Sequence, residues 1–279
     1  MSRKTVTTAL ILLALGLGGC AALQPTDTNG PRVNATPYPI VASDPAQRET
    51  ASLAWQQLSQ RYGFGQTSPA DLQPGTSTIH GISNASGSAI FLPKVGTNPT
   101  PTEEDTRESL RRFIADWRNL IGADPDDLSL VDRTDEASGV KTARYEQHPF
   151  RYPLRGNFGS LIIHFQADRK VIDLSSTCLP NADRLQAALA NLTPKVTPEN
   201  VPALILGRTL TATDPSGQQR SFTLPQTAVV NVHQLVAYVL ASSDGQSVDV
   251  HLAWEIDVAN GPIKTIYLDA MTEQVIAVS

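Results

Sequence analysis

The histidine, cysteine and acidic side chains are the groups of this chain that could carry out chemistry, and their spacing limits what that chemistry could be. None of the five histidines starts a zinc-protease helix, because the residues that follow them are Gly81, Pro149, Phe165, Gln234 and Leu252. A serine-hydrolase elbow, a P-loop and a dinucleotide-binding glycine pattern are also missing from the sequence. We therefore predict no catalytic residue, no cofactor and no enzymatic activity.

The segment from Ser247 to Val258 carries a possible metal-binding set. Apolar and polar residues alternate along it, so it is predicted to be a strand with one buried face. His251, Glu255 and Asp257 fall on the polar face, and a histidine with two carboxylates can bind a metal ion. A charged, solvent-facing side of an edge strand explains the same pattern more simply, so we predict no metal ion.

The first twenty residues have the order of regions found in a bacterial lipoprotein signal peptide. Arg3 and Lys4 precede an apolar run from Val6 to Leu17, which is shorter than the ~20 residues of a membrane-spanning helix. Leu17-Gly18-Gly19-Cys20 resembles a lipobox, although an ordinary secretory signal with a coincidental cysteine is an alternative. The resemblance implies cleavage before Cys20 and lipidation of its thiol and new amino terminus. Because Ala21 is not the aspartate associated with retention at the inner membrane, we expect outer-membrane anchoring in a host with two membranes.

Two further groups could react or bind a ligand, and for both we expect a structural role. Cys178 is the only cysteine left after lipidation, so no internal disulfide can form, and its neighbours in sequence do not form a basic cluster that would activate the thiol. We expect it to be buried or idle. The group Asp124, Asp126 and Asp127 lacks the alternation and the glycine of a calcium loop, so we predict a solvated turn there.

The composition is that of a globular protein with one large or two small domains. The chain has 279 residues, of which 41% are hydrophobic. Its net charge of -5 is too small and too mixed to indicate a nucleic-acid partner. Residues 21–45 are rich in proline, threonine, asparagine and aspartate, and we predict a disordered tether between the lipid and the folded part.

Capping residues and apolar spacing predict two main helices. The first begins at Asp44-Pro45 and continues to Gly63, and the second begins after Thr102 and ends at Gly122. The second helix is the stronger prediction, because one face carries an unbroken apolar stripe. Its members are Leu110, Phe113, Ile114, Trp117, Leu120 and Ile121. Shorter helices are predicted at residues 182–191 and 198–206.

The remaining regular segments are predicted to be strands, and the last three form an antiparallel meander. Asn260-Gly261 predicts a two-residue hairpin turn within that meander. A helix followed by antiparallel strands occurs twice along the chain, which predicts an α+β architecture of two consecutive units. The predicted strands are residues 128–131, 140–147, 160–165, 171–175, 222–224, 234–240, 248–258, 263–269 and 274–279.

The end of the chain resembles the C-terminal half of a PepSY domain. The residues that carry the resemblance are Leu252-Ala253-Trp254-Glu255-Ile256, Tyr267-Leu268-Asp269-Ala270-Met271-Thr272 and Val275-Ile276. Glu273 follows, at a position where the family usually has glycine. PepSY domains are found in the propeptides of thermolysin-like metalloproteases and as separate modules of the cell envelope.

The middle of the chain resembles the fungalysin/thermolysin propeptide motif. The sequence departs from that motif at Arg151-Tyr152 and at Arg169, where the family usually has glycine. The matching residues are Arg144-Tyr145-Glu146-Gln147, Tyr152-Pro153-Leu154, Gly159-Ser160-Leu161, His164-Phe165 and Leu179-Pro180.

These resemblances imply a protein-binding role. In the family such domains precede a metalloprotease, help it to fold and block its cleft, whereas here the PepSY-like strands close the sequence. We expect a non-catalytic lipoprotein that inhibits a secreted or periplasmic protease or assists its folding; its binding residues are not predicted. A structural module for envelope assembly and a small-ligand binder are the alternatives.

The corresponding organisation has five parts. They are a signal peptide with lipidated Cys20 (1–20), a tether (21–45), an N-terminal helix with an irregular segment (46–101), a propeptide-motif-like unit (102–181) and a PepSY-like unit (182–279).

Overall fold

A computed structural model describes most of the chain after residue 36. The described residues are 37–42, 45–63, 69–83, 89–97, 101–136, 138–148, 151–213, 218–242, 245–261 and 263–279. Residues 36–279 form one compact unit. The predicted signal peptide, Cys20 and most of the predicted tether lie outside the described residues.

The regular elements are short helices and many antiparallel strands. The helices are α1 (Pro45–Tyr62), α2 (Glu103–Asp116), α3 (Arg118–Ile121), α4 (Ala182–Ala190) and α5 (Val201–Ile205), with 3₁₀ turns at Pro125–Asp127 and Pro198–Asn200. The first eight strands are β1 (Ile40–Val41), β2 (Ile82–Ser83), β3 (Ile90–Phe91), β4 (Leu128–Asp135), β5 (Val140–Gln147), β6 (Leu154–Arg155), β7 (Ser160–Gln166) and β8 (Lys170–Ser176). The others are β9 (Thr209–Thr213), β10 (Gln219–Thr223), β11 (Val229–Ala241), β12 (Val248–Ala259), β13 (Thr265–Asp269) and β14 (Val275–Val278).

The helix predicted after Thr102 is present and is divided into α2 and α3. The Thr102 hydroxyl accepts a hydrogen bond from the Asp105 amide (3.1 Å), and the Asp105 carboxylate accepts one from the Thr102 amide (3.0 Å). This reciprocal cap satisfies two amides that the first turn leaves without helical partners. Trp117 departs from helical geometry with φ −115°, and Gly122 ends α3 with φ +87°. The predicted apolar stripe is buried along its whole length.

The first sheet has the order β2-β8-β7-β5-β4, and β3 also pairs with β8. Its buried face carries Ala143 and Tyr145 of β5 and Leu161 and Ile163 of β7, which join one apolar core with α1, α2 and α3. The Gln147 side chain lies inside this region and exchanges two hydrogen bonds with the backbone of Leu179, at 2.9 and 3.0 Å. Those two bonds tie the end of β5 to the segment that leaves the first sheet.

The second sheet has the order β10-β9-β14-β13-β12-β11-β6, and β1 also pairs with β12. Helix α4 packs on it through Leu185 and Leu189, and α5 packs on it through Val201 and Ile205. The predicted meander is present as β12, β13 and β14. Its first connection is longer than the predicted two-residue turn, because β12 ends at Ala259 and β13 begins only at Thr265.

The prediction that residues 248–258 form an edge strand is wrong. Strand β12 pairs with β11 along one edge, and β13 and β1 both pair with its other edge. Its polar face is accordingly only partly open to solvent, and Glu255 is 9% exposed. The alternation of polar and apolar residues was interpreted correctly as a strand, but alternation alone does not show whether both edges are paired.

The folded part begins earlier than the predicted tether allows. Strand β1 lies within residues 21–45, and Ile40 and Ala42 are buried against the second sheet. The Ala42 amide donates to the Val248 carbonyl at 2.8 Å, and Tyr38 bonds to Asp269. Residues 37–42 therefore do not belong to a disordered tether, because they gain strand pairing and apolar burial.

The predicted α+β class is confirmed as two mainly antiparallel sheets with helices packed on them, and strands predominate; the second sheet also contains the parallel pairs β11–β6 and β14–β9. The second sheet is not built from residues 182–279 alone, since it includes β1 and β6. Strand β9 and the two-residue strands β1 and β6 were not predicted. Among the described helices, none is long and apolar enough to cross a membrane.

Two tight turns place a long polar side chain on a left-handed backbone. Arg169 has φ +72° in the β7–β8 hairpin, and Glu273 has φ +64° before β14. Residues other than glycine are unfavourable in this conformation, because their Cβ approaches the following carbonyl oxygen. Both are positions at which the resembled families usually have glycine.

We predict that Glu273→Gly stabilises the protein. Removing Cβ relieves the left-handed strain, and the expected gain in the free energy of unfolding is about 1 kcal/mol. Urea unfolding of the two proteins measures it. Glu273→Ala is the matched control, because it removes the carboxylate and keeps Cβ; an equal gain in that variant would contradict backbone strain as the cause.

Candidate functional site

The structure separates the three side chains of the possible metal-binding set. The nearest partner of His251 is Asp269, whereas Glu255 is bound by Arg155 and Asp257 is exposed. The three residues share a strand face but do not converge on one point. In the described part of the chain, no group of three or more His, Cys, Asp or Glu side chains is arranged to hold a metal ion.

Glu255 is the centre of a polar cluster on the face of the second sheet opposite α4 and α5. The Arg155 guanidinium donates to both of its oxygens, at 2.5 and 3.1 Å. Gln234 donates to it at 2.9 Å and the Tyr267 hydroxyl at 3.3 Å. Burial by itself would raise the pKa of Glu255, but the hydrogen bonds from Arg155 and Gln234 outweigh it and hold the pKa below the usual value. Arg155 is a hundred positions away in sequence, so no local pattern indicated this pair.

A second network attaches the start of the folded chain to the middle of β12. Asp269 is 1% exposed and accepts a hydrogen bond from the Tyr38 hydroxyl at 2.7 Å. Its other contacts are with His251 Nδ1 at 2.7 Å and with the amides of Met271 and Thr272 at 2.8 and 2.9 Å. Burial would raise the pKa of Asp269, and these hydrogen bonds lower it below its ordinary value instead.

The two remaining predicted groups behave as structural elements. Cys178 is fully buried, and that burial raises the pKa of its thiol to about 12. A thiol with such a pKa contains almost no thiolate at neutral pH, and the thiolate is the reactive form. The acidic group begins with Asp124, which precedes a 3₁₀ turn that leads directly into β4.

One edge of the second sheet is largely uncovered. Strand β6 pairs in parallel only with Ala237 and Tyr238 of the long strand β11, and the Ala237 amide also donates to the Pro153 carbonyl. Among the residues that the structure describes, none pairs with the outer edge of β11 between Val229 and Val236. Val236 is fully buried, whereas residues 229–235 are exposed or partly exposed, so their backbone amides and carbonyls are available to a further strand.

An arginine-lined groove adjoins the same region, because β6 forms part of its wall. The groove has a volume of about 680 Å³. Its floor is the exposed face of β4 and β5, including Ser129, Arg144 and Glu146, and its wall is the segment 151–159. Sequence analysis identified Arg144 as part of a propeptide-like motif and Arg151 as a departure from it, and did not indicate that they face one groove. That juxtaposition requires the 151–159 segment to cross from the first sheet to the second.

Comparison with known proteins adds no family or relative to these observations. A scan against protein families found no match, and a search of curated proteins found no significant match. The functional interpretation therefore depends on the geometry of the polar clusters, the uncovered edge and the groove.

We predict that Asp269→Asn destabilises the protein by about 2 kcal/mol at pH 7, because an amide has only one acceptor oxygen and its nitrogen must then face either Tyr38 and His251 or the amides of Met271 and Thr272. The pKa of Asp269 is lower in the folded than in the unfolded state. The ionised group therefore stabilises the fold above about pH 4, and this stabilisation is lost as the pH falls through the folded-state pKa.

Urea unfolding at several pH values between neutral and acidic tests this prediction. The difference between the original protein and Asp269→Asn should shrink as the pH falls below about 4. Asp257→Asn is the control on the neighbouring strand β12, where the side chain is exposed, and it should change stability little. If the loss in the free energy of unfolding caused by Asp269→Asn stayed constant with pH, the role of the ionised carboxylate would be contradicted.

We also predict that the Cys178 thiol does not react in the folded protein. A fragment of residues 36–279 contains no other cysteine. A thiol reagent at mildly alkaline pH should label it only after unfolding, with a rate that follows the unfolding rate. Rapid labelling under native conditions would show that the thiol is accessible.

Proposed function

We propose that this protein is a non-catalytic lipoprotein of the cell envelope that binds an extended segment of a protein partner at the outer edge of β11. The partner we propose is a secreted or periplasmic protease, which the protein inhibits or helps to fold. The uncovered edge between Val229 and Val236 is the observation that carries this proposal.

The side chains of this edge do not protect it from pairing. Exposed edge strands commonly carry charged residues or proline, which oppose the addition of another strand. Residues 229–236 contain neither aspartate, glutamate, lysine, arginine nor proline, and Val229 is 57% exposed. A register shift between Val232 and Gln234 is the one irregularity of the edge. Such an edge favours pairing with a complementary strand.

The edge strands at two other positions are different. Strand β4, at the edge of the first sheet, includes Asp132, Arg133 and Asp135, and β10, at the far edge of the second sheet, includes Arg220. Charged side chains at these edges add a desolvation cost to strand pairing. The contrast supports β11 as the edge at which a partner binds.

The family resemblances support the same function. We propose that β11–β14 with the helices α4 and α5 form a PepSY-like part, and that α2 and β4–β8 form a propeptide-like part. The left-handed backbone at Arg169 and Glu273, where the families usually have glycine, is consistent with those turns. Lipidation at Cys20 would hold these parts at the membrane surface, because several acyl chains anchor a protein without a spanning helix.

A small-ligand-binding lipoprotein is the second candidate, and the groove of about 680 Å³ favours it. Screening small molecules for an increase in the unfolding temperature distinguishes the two functions. A ligand that stabilises the protein, with no protein partner, would favour this second candidate. A structural role in envelope assembly would instead be indicated by a stable complex with other envelope proteins.

We predict that Asn231→Lys weakens binding of the partner protein about tenfold or more, because an added strand must then desolvate a lysine at the edge. The partner is first crosslinked in the native host and identified by mass spectrometry, and its affinity is then measured with purified protein. The soluble form should begin at residue 36, since Tyr38 and β1 belong to the fold.

Gln219→Lys is the matched control, because it adds the same charge at an exposed position of β10. It should leave the affinity unchanged. Equal binding by both variants would remove the β11 edge as the binding site. Failure to capture any protease, together with no effect on the activity or refolding of candidate proteases, would remove the proposed protease partner.

A further inference from the structure

The groove next to β6 carries positive charge that the protein itself does not neutralise. Arg151 lies over the ring of Tyr152, with its guanidinium carbon 5.5 Å from the ring centre. Among the described residues, no carboxylate lies within 4 Å of the Arg151 guanidinium. Arg144 lies 3.9 Å from Glu146, and both of those side chains are more than half exposed; Asp132 is the cross-strand partner of Arg144 on β4. Both guanidinium groups therefore keep hydrogen-bond donors for a ligand.

The third arginine of the groove has a different role. Arg155 is bound through both its Nε and Nη2 atoms to the Glu255 carboxylate. This pair fixes the position of the groove wall on the second sheet. It also leaves Arg151 and Arg144 as the two cations whose charge faces the groove, with Glu146 as the one carboxylate among the lining residues.

The sign of this charge is opposite to that of the whole chain. The protein has a net charge of -5, whereas the groove lining presents Arg144 and Arg151 against one glutamate, since the charge of its third arginine, Arg155, is neutralised by Glu255. Opposite charge in a concave site concentrates anionic ligands and orients them. Tyr152 and Phe158 add apolar surface to the same wall, which suits a chain that carries both carboxylates and apolar side chains.

We propose that the groove binds an acidic, extended segment of the partner polypeptide, with its carboxylates at Arg144 and Arg151. This inference rests on the proposed function and adds the chemical character of the segment that is recognised. A polypeptide is favoured over the headgroups of a membrane surface because the arginines lie within a groove rather than on a flat, projecting patch. The groove and the uncovered edge meet at Pro153, whose carbonyl accepts from Ala237 of β11.

The experiment measures the binding of two labelled peptides to the full chain by fluorescence anisotropy. One peptide alternates glutamate with valine over about eight residues, the length of an ordinary strand, and the other has glutamine in place of each glutamate. We expect the glutamate peptide to bind more tightly and to lose affinity as sodium chloride is added, because salt screens charge attraction.

Substitutions locate the site. Arg151→Gln should weaken binding of the glutamate peptide about fivefold, and Arg144→Gln/Arg151→Gln should weaken it about tenfold or more. Arg48→Gln is the matched control, since it removes the same charge from an exposed position on α1. Circular dichroism and urea unfolding verify that each variant is folded as the original protein is.

The possible outcomes are distinguishable. A preference for the glutamate peptide that depends on Arg144 and Arg151 supports the proposal. Equal affinity for the two peptides, no binding of either, or an equal effect of Arg48→Gln overturns it. Vesicles of an anionic phospholipid that displace the glutamate peptide from Arg144 and Arg151 would identify a lipid headgroup site and also overturn it. The proposed function is tested independently of the peptides: it is contradicted if the crosslinked partner binds Asn231→Lys and the original protein equally well.

Discussion

The pairing of β12 along both of its edges is the constraint on which the second sheet depends. Strand β11 lies along one edge of β12, and β13 and β1 lie along the other. Side chains of these neighbouring strands flank the polar face of β12 and partly shield it from solvent. Glu255 and His251 consequently lose contact with water and need partners within the protein. Arg155 and Asp269 supply them, and each of these partners comes from another part of the chain.

The two polar pairs, Arg155–Glu255 and His251–Asp269, attach other segments of the chain to the second sheet. Arg155 attaches the segment that leaves the first sheet, and Tyr38, through Asp269, attaches the beginning of the folded chain. Strand β12 has partners along both of its edges, whereas β6 pairs with only two residues of β11. One sheet therefore contains both a central strand paired along both edges and an uncovered edge, and the proposed binding of a partner polypeptide depends on that uncovered edge. The groove wall is positioned by the same Arg155–Glu255 pair.

Much of the fold could be predicted from local patterns, and the failures have a common cause. Helix α2 was predicted because Thr102, the acidic first turn and the apolar stripe are all local signals, and β5, β7, β8 and the final meander were predicted from alternation. Strands β1 and β6 were missed because two residues carry no periodic signal and become strands only through their partners. The same limit applied to β12, whose sequence indicates a strand but not a central position.

The candidate site divides in the same way. The sequence by itself determined the types and the local periods of the residues: a polar face on β12, an apolar stripe on α2 and a cysteine without a basic cluster beside it. Only the tertiary structure decided that His251, Glu255 and Asp257 take separate partners, that Arg144 and Arg151 face one groove and that β11 keeps an uncovered edge. Local patterns reflect the stability of a single helix or strand. These features instead depend on which elements, distant in sequence, pack together and remove side chains from water.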